Sequence, residues 1–219
     1  MTDPHGEDPH GDQPLERAGA DLSEAGAAMV LVHGRGATAR SILDLAREVA
    51  VDGVAALAPQ AAGNEWYPTS FLAPVESNQP GLRSGLAAVG EAVEIARAAG
   101  IPHERLLVGG FSQGACLATE WVARDADRFG AVVALSGGLI GEAVEDRRYG
   151  GDLDGSPVFL GCSDRDPHIP LERVRETARV FETLGGEVDE RIYEGMGHGV
   201  NQEELDVLAD LVSGLVEDT

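Results

Sequence analysis

The chain has 219 residues, 43% of them hydrophobic, enough for one domain with a packed core. It carries 38 acidic residues against 16 basic ones, a net charge of -22, and every basic residue is arginine. This balance weighs against nucleic acid or anionic membrane as a partner, and no run approaches the ~18 apolar residues of a membrane span. Regular apolar periodicity argues against disorder for most of the chain. The acidity reads as adaptation to high salt, where repulsion among carboxylates is screened over short distances. Cys116 and Cys162 are too few for a disulfide framework and sit where small apolar residues are wanted, so both read as core residues.

In chain order, residues 1–24 read as an acidic tail or loosely attached lead-in to a single domain over 25–219. The first 20 residues are acidic and rich in Gly and Pro, unlike a secretory signal, so a cytoplasmic location is expected. His5 and His10 lie in this segment and define no metal site. "AAMVLVHG" (27–34) is a continuous apolar run, the mark of a strand buried on both faces. Ile42, Leu45 and Val49 then recur at helical spacing, and "GVAALAP" (53–59) is a second buried strand. Residues 60–82 break the rhythm with a long loop holding Trp66, Tyr67 and Phe71, in a chain with only 5% aromatics. A loop of that length with that content is expected near the active site, with Trp66, Tyr67, Phe71 and Leu72 lining an apolar pocket. The competing reading is that they pin the loop to the body.

Leu86, Val89, Val93 and Ala96 mark the next helix. "RLLVGGFSQGACLATEWVA" (105–123) is a short strand, a Gly-flanked turn and a helix. Strands follow at 131–138 and 157–164, separated by a Gly- and charge-rich connection at 141–156. Leu171, Val174, Ala178 and Phe181 form a helical stripe, "EVDERIYEG" (187–195) alternates as an edge strand does, and Leu205, Leu208, Val212 and Leu215 line the last helix. Strands alternating with helices predict a doubly wound, mostly parallel α/β sheet of six to seven strands flanked by helices. Reactive groups in such sheets collect beyond the carboxyl ends of the strands.

Gly110-Phe111-Ser112-Gln113-Gly114 fits the G-x-S-x-G turn that exposes a serine between strand and helix. A rival match, Ala134-Leu135-Ser136-Gly137-Gly138, has no helix after it. Partners for Ser112 lie after later strands: "SDRDPHIP" offers Asp164 and Asp166, and "EGMGHGV" offers His198. The order Ser, Asp, His is the one that accompanies this turn. His198 would take the serine proton, and Asp166 would orient the imidazole and stabilise its charged form; Asp164 reads as a turn residue. His168 is too close in sequence to Asp166 to be oriented by it easily, and His103 precedes a strand, at the wrong end of the sheet. An oxyanion would be met by the backbone N–H of Gln113 and, from "HGRGAT" (33–38), that of Arg35. The Arg35 guanidinium could meet an anionic substrate or stay solvated, and His33 reads as a structural hydrogen-bonding residue.

Together, "LVHGRGAT", "GFSQGA", "DRDPHIP" and "GMGHGV" resemble the phospholipase/carboxylesterase family of α/β-hydrolases. That group includes acyl-protein thioesterases and small bacterial carboxylesterases and is related to dienelactone hydrolases. The resemblance runs from about residue 25 to the end. It implies the α/β-hydrolase fold, a triad of Ser112, Asp166 and His198, and oxyanion donors at Arg35 and Gln113. Dienelactone hydrolases match less well, because they use a cysteine where Ser112 stands. "NEWYPTSFLAP" also resembles a loop of predicted esterases linked to quinone or aromatic-compound detoxification. The elongated lid and acyl channel of eukaryotic thioesterases are not evident, so depalmitoylation is not implied.

The expectation is a serine carboxylic-ester hydrolase for small or medium esters, acting through an acyl-enzyme without metal or cofactor. Thioesterase, lysophospholipase-type, peptide-cleaving or perhydrolase chemistry on the same triad, and a non-catalytic ligand-binding role, are the alternatives. The partner is a small-molecule ester, and the assembly is left open between monomer and homodimer. If the acidity is an adaptation to salt, thermal stability and hydrolysis of nitrophenyl esters both rise from low salt to multimolar KCl. Maximal stability and activity without salt would overturn that reading.

Overall fold

The computed structural model describes residues 8–144 and 149–217. His5 and part of the 141–156 connection, residues 145–148, lie outside them. In chain order the strands are β1 (Leu15–Gly19), β2 (Ala27–Val32), β3 (Val54–Pro59), β4 (Leu106–Phe111), β5 (Ala131–Leu135), β6 (Pro157–Ser163) and β7 (Glu187–Tyr193). The helices are α1 (Ala39–Glu48), α2 (Gly81–Ala98), α3 (Gln113–Arg124), α4 (Leu171–Thr183) and α5 (Gln202–Glu217). The strands form one sheet in the order β1-β3-β2-β4-β5-β6-β7, parallel except for the antiparallel β1–β3 pair. Strands β2 and β3 are buried at every position, as their unbroken apolar sequences require when helices cover both faces.

Two apolar layers flank the sheet. One face packs against α2, α3 and α4 through Leu82, Val89, Leu117, Val174 and Phe181. The other meets α1 and α5 through Ile42, Leu43, Ala46, Leu208, Val212 and Leu215. Leu43 is buried in α1 where the spacing had pointed to Leu45, which is only partly buried. Thr38 starts α1 with a capping box: its side chain accepts from Ser41 N–H, and the Ser41 hydroxyl accepts from the Thr38 N–H. Among the described residues no helix is long and apolar enough to cross a membrane.

Over the described residues 8–24 the lead-in is fastened to the body, where a tail or loosely attached lead-in was expected. Residues 15–19 are the edge strand β1, paired from Leu15 with Pro59 to Gly19 with Ala55. Its signal is weak because an edge strand with one face toward solvent needs few apolar side chains. Upstream, His10 is buried and fastens the segment to the 60–82 loop. Its Nδ1 accepts from Ala62 N–H, so Nε2 carries the proton and donates to the Trp66 carbonyl. His33, at the end of β2, is used in the same way, its Nε2 accepting from Ala61 N–H while Nδ1 donates to the Gly34 carbonyl. The two imidazoles lie against the Trp66 indole, 5.1 and 5.0 Å from its centroid.

Each ring is therefore required as an acceptor and held neutral. Burial lowers the pKa of both from 6.5, against weaker opposing contributions from the Trp66 carbonyl and Asp8 at His10 and from the Gly34 carbonyl at His33. The unfolded chain thus binds these two protons first. The stabilisation is complete above pH ~6.5 and is lost as pH falls from there toward the depressed folded values. A His10→Gln, His33→Gln double variant should flatten the fall in melting temperature between pH 7 and 5, measured by calorimetry. An unchanged slope would show that other groups carry it.

Candidate active site

The turn between β4 and α3 places Ser112 at φ 57°, ψ -121°, a conformation that costs a non-glycine residue of order 1–3 kcal/mol. It fits only because Gly110 and Gly114 lack side chains: a Cβ at either would run into the Val32 carbonyl, and at Gly114 into that of His33 as well. Packing this tight seats the end of β2 beneath the turn. It also brings the following loop alongside, since a Cβ on Gly34 would lie 3.3 Å from the Ser112 Cβ.

The three residues expected after successive strands meet here. Ser112 Oγ lies 2.9 Å from His198 Nε2, and His198 Nδ1 lies 2.7 Å from Asp166 Oδ2. The second carboxylate oxygen, Oδ1, accepts from the N–H groups of His168 at 2.8 Å and Ile169 at 3.0 Å. Burial opposes ionisation of Asp166, but hydrogen bonds from His198, His168 and Ile169 outweigh it and hold the carboxyl below its ordinary range. An ionised Asp166 fixes the proton on His198 Nδ1 and leaves Nε2 free to accept from the serine. Cys162 adds a weak contact, Sγ 3.9 Å from Asp166 Oδ2. Burial pushes both thiols, Cys116 and Cys162, up to about 12, so neither is a thiolate at neutral pH.

The His198 loop is anchored from two sides. Asp164, the turn residue, accepts from Gly195 N–H at 2.7 Å, and Ser163 Oγ accepts from Gly197 N–H. Behind it, Asn201 and Glu204 exchange hydrogen bonds that cap the start of α5. Glu204 is fully buried with Oε1 unpartnered, and desolvation pushes its carboxyl up to about 7. Its spacing from Asn201 is a capping pattern legible in the sequence, though its burial is not.

Arg35 and Gln113 hold the opposite wall, in a way the sequence did not show. The Gln113 side chain accepts from Trp66 N–H at 2.9 Å and donates to the Tyr67 carbonyl at 2.9 Å. The Arg35 guanidinium donates to the carbonyls of Tyr67, Pro68 and Thr69 and pairs with Glu65. It is neither a free anion receptor nor simply solvated. The two residues expected to supply oxyanion N–H groups thus both clamp residues 65–69, and neither N–H has a protein acceptor among the described residues. Asn78 fastens the loop further, accepting from Thr69 and donating to the Ser70 carbonyl.

A cavity of about 510 Å³ opens over Ser112, bounded by Tyr67, Phe71, Cys116 and Ile169 inside and by Arg35, Thr69, Ser70 and His168 toward solvent. Of the four residues expected to line a pocket, Tyr67 and Phe71 line this cavity and Trp66 and Leu72 do not. Trp66 is fully buried, its Nε1–H donating to the His33 carbonyl, and Leu72 packs on the core. An indole at the loop root is worth more as buried surface with a satisfied N–H than at a polar rim. His103 lies elsewhere, bonded to Asp127. Ser136 shares a positive φ, 50°, but is buried, and its Oγ lies 3.5 Å from the Gly199 carbonyl.

The phospholipase/carboxylesterase family model matches residues 20–215. Acyl-protein thioesterase 1 of Candida albicans is 32% identical over 122 residues, 53% of this chain and 52% of that protein. Its Saccharomyces cerevisiae counterpart is 30% identical over 151 residues, 68% and 64% of the two chains. The chain therefore spans about half to two thirds of these curated relatives. A solved phospholipase/carboxylesterase from Dyadobacter fermentans superposes with a TM-score of 0.89 at 40% identity, covering 92% of this chain and 97% of that one. The carboxylesterase of Bacillus cereus, at 18% identity, shares the fold with a TM-score of 0.71 over 94% and 96%.

Removing the Gln113 amide leaves the Trp66 N–H unpaired in a buried place and takes one of two donors from the Tyr67 carbonyl, which keeps Arg35. Gln113→Ala should therefore cost about 1–3 kcal/mol of stability, read as a lower midpoint in urea. A midpoint equal to that of the parent would show that the clamp contributes nothing.

Proposed function

We propose that this chain, which belongs to the phospholipase/carboxylesterase family, is a serine hydrolase of small or medium carboxylic esters. The observation that carries the proposal is the His198 ring bridging Ser112 at 2.9 Å and Asp166 at 2.7 Å, within one cavity. A serine hydroxyl is a poor nucleophile until a base takes its proton. His198 Nε2 accepts that proton as Oγ attacks the ester carbonyl, and ionised Asp166 stabilises the resulting imidazolium. The backbone N–H groups of Arg35 and Gln113 receive the developing oxyanion, held by side chains that do not move with the reaction. His198 then protonates the departing alcohol, the acyl group stays on Ser112, and the same imidazole activates water to release the acid. Tyr67 and Phe71 form the apolar wall of the acyl site.

Thioester hydrolysis is the second reading, favoured by the acyl-protein thioesterase relatives. It uses the same steps with a thiol leaving group. A purely ligand-binding role is disfavoured, because binding needs no base aligned with a serine.

A fluorophosphonate probe should label Ser112 in the wild-type protein and not in Ser112→Ala. That variant should lose at least ~10³-fold in kcat on nitrophenyl esters, and Asp166→Asn a comparable ~10⁴-fold through the wrong His198 tautomer. Absence of labelling in active buffer would remove the hydrolase reading.

A further inference from the structure

His168 is the one cleft residue whose ring nitrogens have no protein partner among the described residues and no role in the hydrolytic steps. Its backbone N–H is fixed on Asp166 Oδ1 at 2.8 Å. Its ring meets the His198 ring edge-on, with centroids 4.9 Å apart and planes at 77°. The side chain is exposed and lines the cavity. An imidazole held at its backbone and on one side of its ring, with both nitrogens free, is positioned toward whatever occupies the cleft.

What occupies that side follows from the chemistry, and here the inference rests on the hydrolase reading. The leaving oxygen must receive its proton from His198 Nε2, so the alcohol half of the ester lies beside that ring. Two rings pack against it, Phe111 and His168, and of these only His168 lines the cleft. Thr69, Ser70 and the clamped Arg35 also line the cleft, whereas the nearly buried Tyr67, Phe71 and Cys116 offer the acyl half apolar surface. Among the described residues the cleft lining contains no carboxylate, in a chain where acids outnumber bases 38 to 16. The carboxylates bonded to lining residues, Asp166 and Glu65, are engaged by His198, the His168 N–H and Arg35, not by the His168 ring.

We propose that His168 determines leaving-group specificity, donating a hydrogen bond to an oxygen acceptor on a polar, hydroxylated alcohol. The preferred substrates are esters of polyols rather than of alkanols.

The test compares glycerol monobutyrate with propyl butyrate, which share the acyl group and differ in the alcohol's hydroxyls. Wild type should favour the glycerol ester in kcat/KM. His168→Phe keeps a ring against His198 but has no nitrogen, and should lose roughly three- to tenfold on the glycerol ester alone, the worth of one hydrogen bond. His168→Asn should recover part of that loss. Because KM and kcat/KM shift for one ester only, a general effect on His198 would be distinguishable. Equal losses on both esters, or none on either, would overturn the assignment. Fluorophosphonate labelling of Ser112 in both variants reports separately on the hydrolase reading: if labelling persists while selectivity is unmoved, only the role of His168 fails.

Discussion

Ser112 is held in a backbone conformation that L-residues avoid, and the molecule around it is arranged to make that conformation the only one available. The φ of 57° turns the chain from β4 into α3 within one residue and lifts the hydroxyl clear of the sheet. Gly110 and Gly114 let the Val32 carbonyl approach so closely that any side chain there would expel β2 from its register. Strain at the serine is thereby coupled to the pairing of the two central strands, the most buried part of the protein. The hydroxyl cannot relax without opening the core.

From that fixed point the site extends in two directions by different means. On one side the Asp166 and His198 loops leave the adjacent strands β6 and β7, and their positions follow from parallel register between Ser163 and Tyr193. Local hydrogen bonds from Asp164, Ser163 and the cap of α5 then set the loops finely. On the other side no strand helps. The 60–82 loop is irregular and is held by side chains: Gln113 and Arg35 from the site, Asn78 from within, His33 and His10 around Trp66. The result is that Arg35, Gln113 and the pocket wall form one unit. Several of these bonds satisfy buried backbone groups that a loop would otherwise leave unpaired.

The cavity also separates two chemistries within a few ångströms. Its inner residues are apolar and nearly buried, and its rim carries hydroxyls and an imidazole. On the proposed mechanism, a polar rim beside His198 and an apolar wall opposite would give the two halves of an ester different surroundings.

The sequence by itself determined the alternation of strands and helices, because buried parallel strands need unbroken apolar runs and amphipathic helices need their stripes. It also singled out Ser112, Asp166 and His198 as candidates, since each stands in a short segment just after a strand and the sheet brings such ends together. What it could not determine are contacts between segments far apart in the chain. β1 is nearly silent because an edge strand buries only one face, and the lead-in gains its place through His10, 52 residues from the N–H it accepts. Trp66 was legible as an aromatic in a loop, but whether it lines a pocket or plugs a core depends on which carbonyl its N–H reaches. The side-chain work of Gln113 and Arg35 was hidden for the same reason: their partners lie 46 and 32 residues away at Tyr67. Only the folded chain, with those distances closed, decides what they hold.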